Sequence, residues 1–397
     1  MKQLKTVFLR KGAERRLRAG HLWVYSNEVD IGRSALKTFE PGEQAIIAAS
    51  NGKALGTVFV NPHPLICGRV ISRDPGQSMT PQLLEQRLAR ALAAREQVFS
   101  RPFYRLAFGD SDGLPGLVVD RYDDVCVVQV AIAGMELLKT SITRALTRLL
   151  HPRAIVFKND SKMRQAEGLP LGLETVGDSV DVLAVEENGV RFEAPLEGQK
   201  TGWFYDHRLN RARLQQYVRG ARVLDVFSYV GGWGVQMAAA GAASVTCVDA
   251  SAQALEWVGR NAALNGFSNV DTLQGDAFQV LKTLCDERER FDVIILDPPA
   301  LIPRRRDQKE GEQAYARLNQ WALRLLSPGG VLASASCSMH LGRDQLLDII
   351  RASGRKVDRF LQVLEQGHQG PDHPIVPSIA ETDYLKAFFV RSLMPGD

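Results

Sequence analysis

Residues 223–242, VLDVFSYVGGWGVQMAAAGA, decide the fold class of this chain. An apolar run carrying Asp225 leads into a loop with Gly231, Gly232 and Gly234, and then into a helix of small residues. Strand, glycine loop and helix in that order make a nucleotide-cofactor turn, because glycine lets the backbone approach a ligand without interference from a Cβ. The loop departs from GxGxxG, and Asp225 stands where a dinucleotide fold would open its first glycine turn.

The pattern continues on the C-terminal side. Ser244–Asp249, Val270–Gln274, Val293–Asp297 and Val331–Ala335 read as further strands after the first at Val223–Phe227. Helical stretches lie between them, including Ala252–Asn265 with Ser251 as N-cap and Asn265-Gly266 as the stop. Such alternation predicts a parallel sheet that binds its ligands beyond the carboxyl ends of the strands. Those ends are acidic. A carboxylate at Asp225 suits the amino-acid ammonium of S-adenosylmethionine better than a pyrophosphate. Asp249, twenty-four residues on, is placed to accept hydrogen bonds from two ribose hydroxyls. Asp276, followed by Ala277, is placed for the adenine amino group, and Asp297 opens Asp-Pro-Pro.

Two prolines stiffen the loop after Asp297, since each fixes its own φ and restricts its predecessor. Such a loop can hold a target base near a methyl donor. The next strand, in GGVLASASCSMH, ends at Cys337 between Ser336 and Ser338, which from position alone is either a candidate thiolate or a buried strand cysteine. A thiol there has a specific use. Carbon 5 of cytosine is too weak a nucleophile for a sulfonium methyl until a thiolate adds at C6 and turns the ring into an enamine. Asp297 is the nearest group by motif order to act on N3.

The remainder of the 397 residues fits two or three domains. Residues 1–75 read as a small β-rich domain, with apolar runs at Ala45–Ala49, Thr57–Val60 and Cys67–Ile71 and imperfect alternation. Residues 76–190 read as α+β: a helix from about Pro81 to Phe99, strands at Leu117–Asp120, Val125–Ala131, Ala154–Phe157 and Val180–Val185, and a helix from about Met135 to Leu150. Residues 191–397 hold the alternating α/β part. Five scattered cysteines without CxxC spacing argue against a disulfide framework or a zinc site, so no metal is expected. No apolar stretch is long enough to span a membrane, and no signal-peptide core follows the basic N-terminus, which predicts a cytoplasmic protein. Net charge is only +4, but seven Lys or Arg face Glu14 alone between Met1 and Tyr25. Arg15, Arg16 and Arg18 in that arm, and Arg304, Arg305 and Arg306 after Asp-Pro-Pro, form basic clusters that read either as a phosphate-binding surface or as a solvated face.

With these segments in hand, the chain resembles the bacterial 23S rRNA cytosine-C5 methyltransferases that carry an N-terminal PUA domain. KGAERRLRAGHLWVYSNEV, YRLAFGDSDGLPGLVVDRYDD, EGQKTGWFYDHRLNR, VLDVFSYVGGWGV, LDPPAL and SASCSMH carry the likeness in that order along nearly the full length. The resemblance implies a PUA RNA-binding domain, a central α+β domain and a class I, Rossmann-like methyltransferase domain. It implies that Gln199, Lys200 and Thr201, with Phe204 and Asp206, flank the cofactor. Asp225, Phe227, Tyr229 and Gly231 match the first cofactor motif, Asp249, Asp276 and Asp297 the later ones, and Cys337 the single nucleophile. Many related enzymes carry a second cysteine after the Asp-Pro prolines; Ala300 stands there, which leaves the base for the C5 proton unassigned. The implied substrate is 23S rRNA or a large-subunit assembly intermediate, and the sequence is compatible with a homodimer. Two other readings are methylation of an exocyclic base nitrogen, for which Asp-Pro-Pro also serves and no cysteine is needed, and a cofactor-binding ribosome-assembly factor without activity.

Overall fold

The computed structural model describes residues 4–198 and 201–394. The chain forms two compact units: Met1–Leu183 with Pro195–Trp203 and Pro371–Thr382, and Ala184–Ala194 with Phe204–Gly370 and Asp383–Asp397.

The first unit contains two five-stranded sheets. One is ordered Thr6–Phe8, Glu43–Ala48, Ala54–Val60, Ile66–Ser72, Trp23–Tyr25. The other is ordered Gly172–Gly177, Ala154–Asn159, Val125–Val130, Leu117–Tyr122, Phe103–Phe108. The imperfect alternation of the N-terminal strands has a physical source. Val58 and Val60 point into the core of the first sheet, whereas Phe59 between them and Ile71 on the next strand join the core of the second. A strand covered on both faces has no reason to alternate. The helix Pro81–Glu96 starts where proline tolerates the missing N–H, is capped by Thr80, and ends three residues before Phe99. The expected helix from Met135 is in fact two, Ala133–Glu136 and Lys139–Leu150, interrupted at Leu137 and Leu138.

The second unit is built on a seven-stranded sheet. Its strands are β1 (Arg222–Val226), β2 (Ser244–Asp249), β3 (Val270–Gln274), β4 (Phe291–Leu296), β5 (Leu326–Ser336), β6 (Phe360–His368) and β7 (Lys386–Leu393). They lie in the order β3-β2-β1-β4-β5-β7-β6. The first five are parallel, and β7 runs antiparallel to both neighbours. The crossover helices are α1 (Gly234–Ala239), α2 (Ala252–Leu264), α3 (Ala277–Asp286), α4 (Gln308–Leu325) and α5 (Arg343–Lys356). Ser251 caps α2 through the backbone of Ala254, and Gly266 leaves it in the left-handed region. Leu224, Val226, Ile294, Leu296 and Leu332 from the strands pack with Leu318 and Leu323 of α4. The order reverses between β1 and β4, and in open α/β sheets ligands bind at such a reversal, beyond the carboxyl ends of the strands.

Candidate active site

The loop after β1 holds three residues in the left-handed region: Phe227 (φ 68°), Tyr229 (φ 49°) and Gly231 (φ 86°). A non-glycine residue held there costs on the order of 1–3 kcal/mol, and such outliers gather at ligand sites. Hydrogen bonds over-determine the loop. The N–H groups of Phe227 and Ser228 both donate to the Val248 carbonyl, at 2.9 and 3.0 Å, and Tyr229 N–H donates to Asp249 Oδ2 at 2.9 Å. Gly234 is required by internal packing, since a Cβ there would lie 2.4 Å from Cys247 Sγ.

Asp225 is fully buried within β1. Its Oδ2 accepts from Gly234 N–H at 2.8 Å, while Oδ1 has no hydrogen-bond partner, and neither has the buried Ser228 Oγ. Burial pushes the Asp225 carboxyl up to about 7; the charges of Asp297 and Asp249 add to the rise, and the Gly234 N–H and Arg211 oppose it. Asp249 ends β2 and accepts from Tyr229 N–H through one oxygen and from Ser251 N–H through the other. Each oxygen keeps a lone pair for a further donor. Asp276 is exposed and is the N-cap of α3, with Oδ1 accepting from Phe278 and Gln279 N–H; Ala277 behind it is buried.

Asp297 is the first residue beyond β4. Trp233 Nε1–H donates to its Oδ2 at 3.0 Å, and His207 Nε2 lies 3.1 Å from Oδ1. Burial would push this carboxyl up, but His207, Trp233 and the Arg211 guanidinium together hold it below the usual carboxylate range. Arg211 is fixed in turn by Glu187 Oε1 at 2.8 Å and the Phe204 carbonyl at 2.9 Å. Phe204 also meets the Tyr229 ring edge-on at 5.7 Å, and Asp206 accepts from the Tyr384 hydroxyl at 2.7 Å. Segment 204–211 is thus tied to both the β1 loop and the end of β4.

Cys337 is the first residue beyond β5, which pairs with β4, and it is half-buried. Ser336 and Ser338 on either side are fully buried, and the Tyr315 hydroxyl of α4 bonds to their Oγ atoms at 2.8 and 3.0 Å. Ser338 Oγ further accepts from Ile302 N–H at 3.2 Å, joining the Asp-Pro-Pro loop to the cysteine turn. Ala300 is exposed.

Gln199 and Lys200 lie outside the described residues. Thr201 belongs to the first unit, buried, with its hydroxyl donating to Asp120 Oδ2 at 2.5 Å. Arg15 and Arg18 are exposed on the helix Glu14–Arg18, but Arg16 is engaged by Glu28 at 2.9 Å and lies over the Tyr25 ring. Arg304, Arg305 and Arg306 are all exposed. Sequence reasoning did not single out His207, Trp233 and Arg211 around Asp297, or Tyr315 and Lys386 beside the cysteine turn. Lys386 left a trace: it is a lone cation opening the apolar run AFFV. Among the described residues, no group of three or more His, Cys, Asp or Glu side chains is arranged to hold a metal ion, and no helix is long and apolar enough to cross a membrane.

The comparisons with known proteins agree with this geometry. The profile of S-adenosylmethionine-dependent methyltransferases matches residues 162–391, and that of a PUA-like domain matches residues 7–73. A ribosomal RNA large subunit methyltransferase I from Cronobacter sakazakii is 34% identical over 390 residues, covering 96% of this chain and 97% of its own. Among solved structures, a protein from Streptococcus mutans described provisionally as a SAM-dependent methyltransferase is 20% identical and superposes with a TM-score of 0.82 over 98% of this chain and all of its own. Another, described in the same provisional way as a methyltransferase and solved with SAH, is 20% identical with a TM-score of 0.83 at the same coverage. At that identity the two structures speak to the fold. The strand order, the left-handed loop after β1, the profile and the near-full-length relative converge: this chain belongs to the S-adenosylmethionine-dependent methyltransferase family and carries a PUA-like domain at its N-terminus.

Proposed function

We propose that the protein methylates carbon 5 of a cytosine in 23S rRNA, with Cys337 as nucleophile. One observation carries this reading: Cys337 and Asp297 each stand one residue past the carboxyl ends of adjacent parallel strands, beside the carboxyl end of β1. The relative named for ribosomal RNA large subunit methylation supports the substrate class. In this reading residues 1–75 dock RNA, with 76–190 and 191–397 as the central and methyltransferase segments, and the protein acts in the cytoplasm.

The carboxyl end of β1 fits S-adenosylmethionine, which when bound supplies an electrophilic sulfonium methyl. The unpartnered Asp225 Oδ1 and Ser228 Oγ offer acceptors beneath the loop where the cofactor's ammonium is expected, and Asp249 keeps lone pairs for ribose hydroxyls. Phe227, Tyr229 and Gly231 shape the loop around it, and Asp276 retains its second oxygen for the adenine amino group.

The Cys337 thiolate adds to C6 of the cytosine, and C5 gains the electron density it needs to take the methyl group. Asp297, held as a carboxylate, accepts from the 4-amino group and favours uptake of a proton from water at N3, which neutralises the adduct. Loss of the C5 proton to water then expels the Cys337 thiolate, and N3 returns its proton. The base must leave its helix to reach this edge. Arg15, Arg18 and Arg304–Arg306 contribute phosphate contacts that position the RNA without reading its sequence.

The test is Cys337→Ala assayed with rRNA and labelled cofactor, alongside mapping of 5-methylcytosine in rRNA from cells with and without the gene. Methyl transfer is expected to fall by at least about a thousandfold, since no second nucleophile replaces the thiol. Retained turnover would move the target to a base nitrogen, whose lone pair attacks directly.

A further inference from the structure

A buried cation sits at the nucleophile's end of the sheet. Lys386 opens β7 and pairs across the strands with Ser336, the residue before Cys337. It is only 4% exposed, and its Nζ donates to the Ser338 carbonyl at 2.6 Å and to the Tyr384 carbonyl at 2.9 Å. Lysine is among the residues least often buried, because an enclosed ammonium loses its hydration. Both acceptors are neutral carbonyls, so they hold the ammonium in place without cancelling its charge.

The surroundings say where that charge acts. Burial pushes Lys386 down to about 8, and of the charged groups around it Cys337 has the largest influence, ahead of Asp383 and Arg343. Cys337 raises the lysine, and the influence is mutual: a thiolate that favours the ammonium is favoured by it to the same degree. Arg343 is turned to the Gly367 and Leu385 carbonyls, and His368 stands opposite Lys386 on β6. On the far side, Tyr315 fixes Ser336 and Ser338, so the turn carrying the thiol is pinned from two directions.

We propose that Lys386 is a positioning residue for the nucleophile: its ammonium, fixed on the carbonyl that follows Cys337, holds Cys337 in the thiolate form that adds to the base. The proposal rests on the reading of Cys337 as nucleophile and adds that the thiol is primed before RNA arrives. The thiol proton leaves to solvent, and no bond forms to the lysine.

The experiment uses the full chain without RNA or cofactor. Iodoacetamide alkylation of the Cys337 peptide is followed by mass spectrometry across a pH series, for wild type, Lys386→Met and Lys386→Arg. In wild type the rate should rise with a midpoint below the value near 8.5 of an ordinary thiol. Lys386→Met should raise that midpoint by about one unit or more, and Lys386→Arg, which keeps the charge, should restore most of the shift. Alkylation involves no methyl transfer, so this result is independent of whether Cys337→Ala abolishes activity. An unchanged midpoint in a folded Lys386→Met protein overturns the proposal. A wild-type midpoint at or above the ordinary value overturns it too, and that needs no variant to fold.

Discussion

The ends of β1 and β4 make an instructive pair. Both strands run parallel in one sheet, Asp225 lies near the end of the first and Asp297 just past the end of the second, and burial acts on the two carboxyls in the same direction. Yet Asp225 is raised to about 7 and Asp297 is held below the usual range. Asp225 has a single backbone donor and two acidic neighbours, whereas Asp297 has an indole N–H, an imidazole and a guanidinium around it. Burial sets a tendency; the groups supplied by segment 204–211 and by Trp233 decide the outcome. The β1 end is thus left with an acceptor waiting for a cation, while the β4 end is already a settled anion.

The comparison predicts opposite pH behaviour. A carboxyl raised on folding contributes stability that is fully present below its unfolded value and is lost as pH rises through the folded one. For Asp225 the window runs from about 4 to about 7, and the loss approaches roughly 4 kcal/mol. Without cofactor, melting of the methyltransferase unit should therefore fall across that range in wild type and stay flat in Asp225→Asn, as calorimetry at a series of pH values would reveal. A wild-type profile as flat as the variant's would break the contrast. Asp297 works the other way: its contribution is present above the unfolded value and disappears only as pH drops through the lowered folded value.

A smaller effect separates the two carboxylates in catalysis. Asp297→Asn keeps the shape but removes the charge, and kcat should drop about a hundredfold, near 2.7 kcal/mol, with little change in cofactor affinity measured by calorimetry. Asp225→Asn should do the reverse and weaken cofactor binding more than it slows turnover. Equal effects of both variants on both readouts would remove the distinction.

The smallest effect applies the same logic to the basic helix. Arg15 and Arg18 are exposed, while Arg16 is occupied by Glu28 and Tyr25. Arg15→Ala with Arg18→Ala should weaken RNA binding and lower the salt slope by about two, and Arg16→Ala should chiefly loosen the fold around Glu28. Filter binding over a salt series separates them, and a slope unchanged in the double variant would remove the arm from RNA contact.

Much of the candidate site was legible in the sequence because strand ends announce themselves: an apolar run stops at a polar residue, and Asp249, Asp297 and Cys337 all lie at or one residue beyond such a stop. Asp225 did not follow that rule. It lies inside β1, which the apolar pattern around it does not distinguish from a strand end. Asp276 reads alike as a ligand or as the helix cap it also is. The partners were less visible still, because His207 reaches Asp297, and Lys386 the turn of Cys337, from segments far away in the chain. In the first unit, strands covered on both faces lose the alternation that would have defined their ends.

Methylation through Cys337 requires a covalent bond between its sulfur and the base. Its most direct test is incubation of the wild-type protein and cofactor with rRNA containing 5-fluorocytosine, in which fluorine at C5 cannot leave as a proton does. A covalent protein–RNA adduct is expected that survives denaturation, maps to the Cys337 peptide and is absent from Cys337→Ala. Absence of any adduct, together with methyl transfer undiminished in Cys337→Ala, would contradict methylation through Cys337.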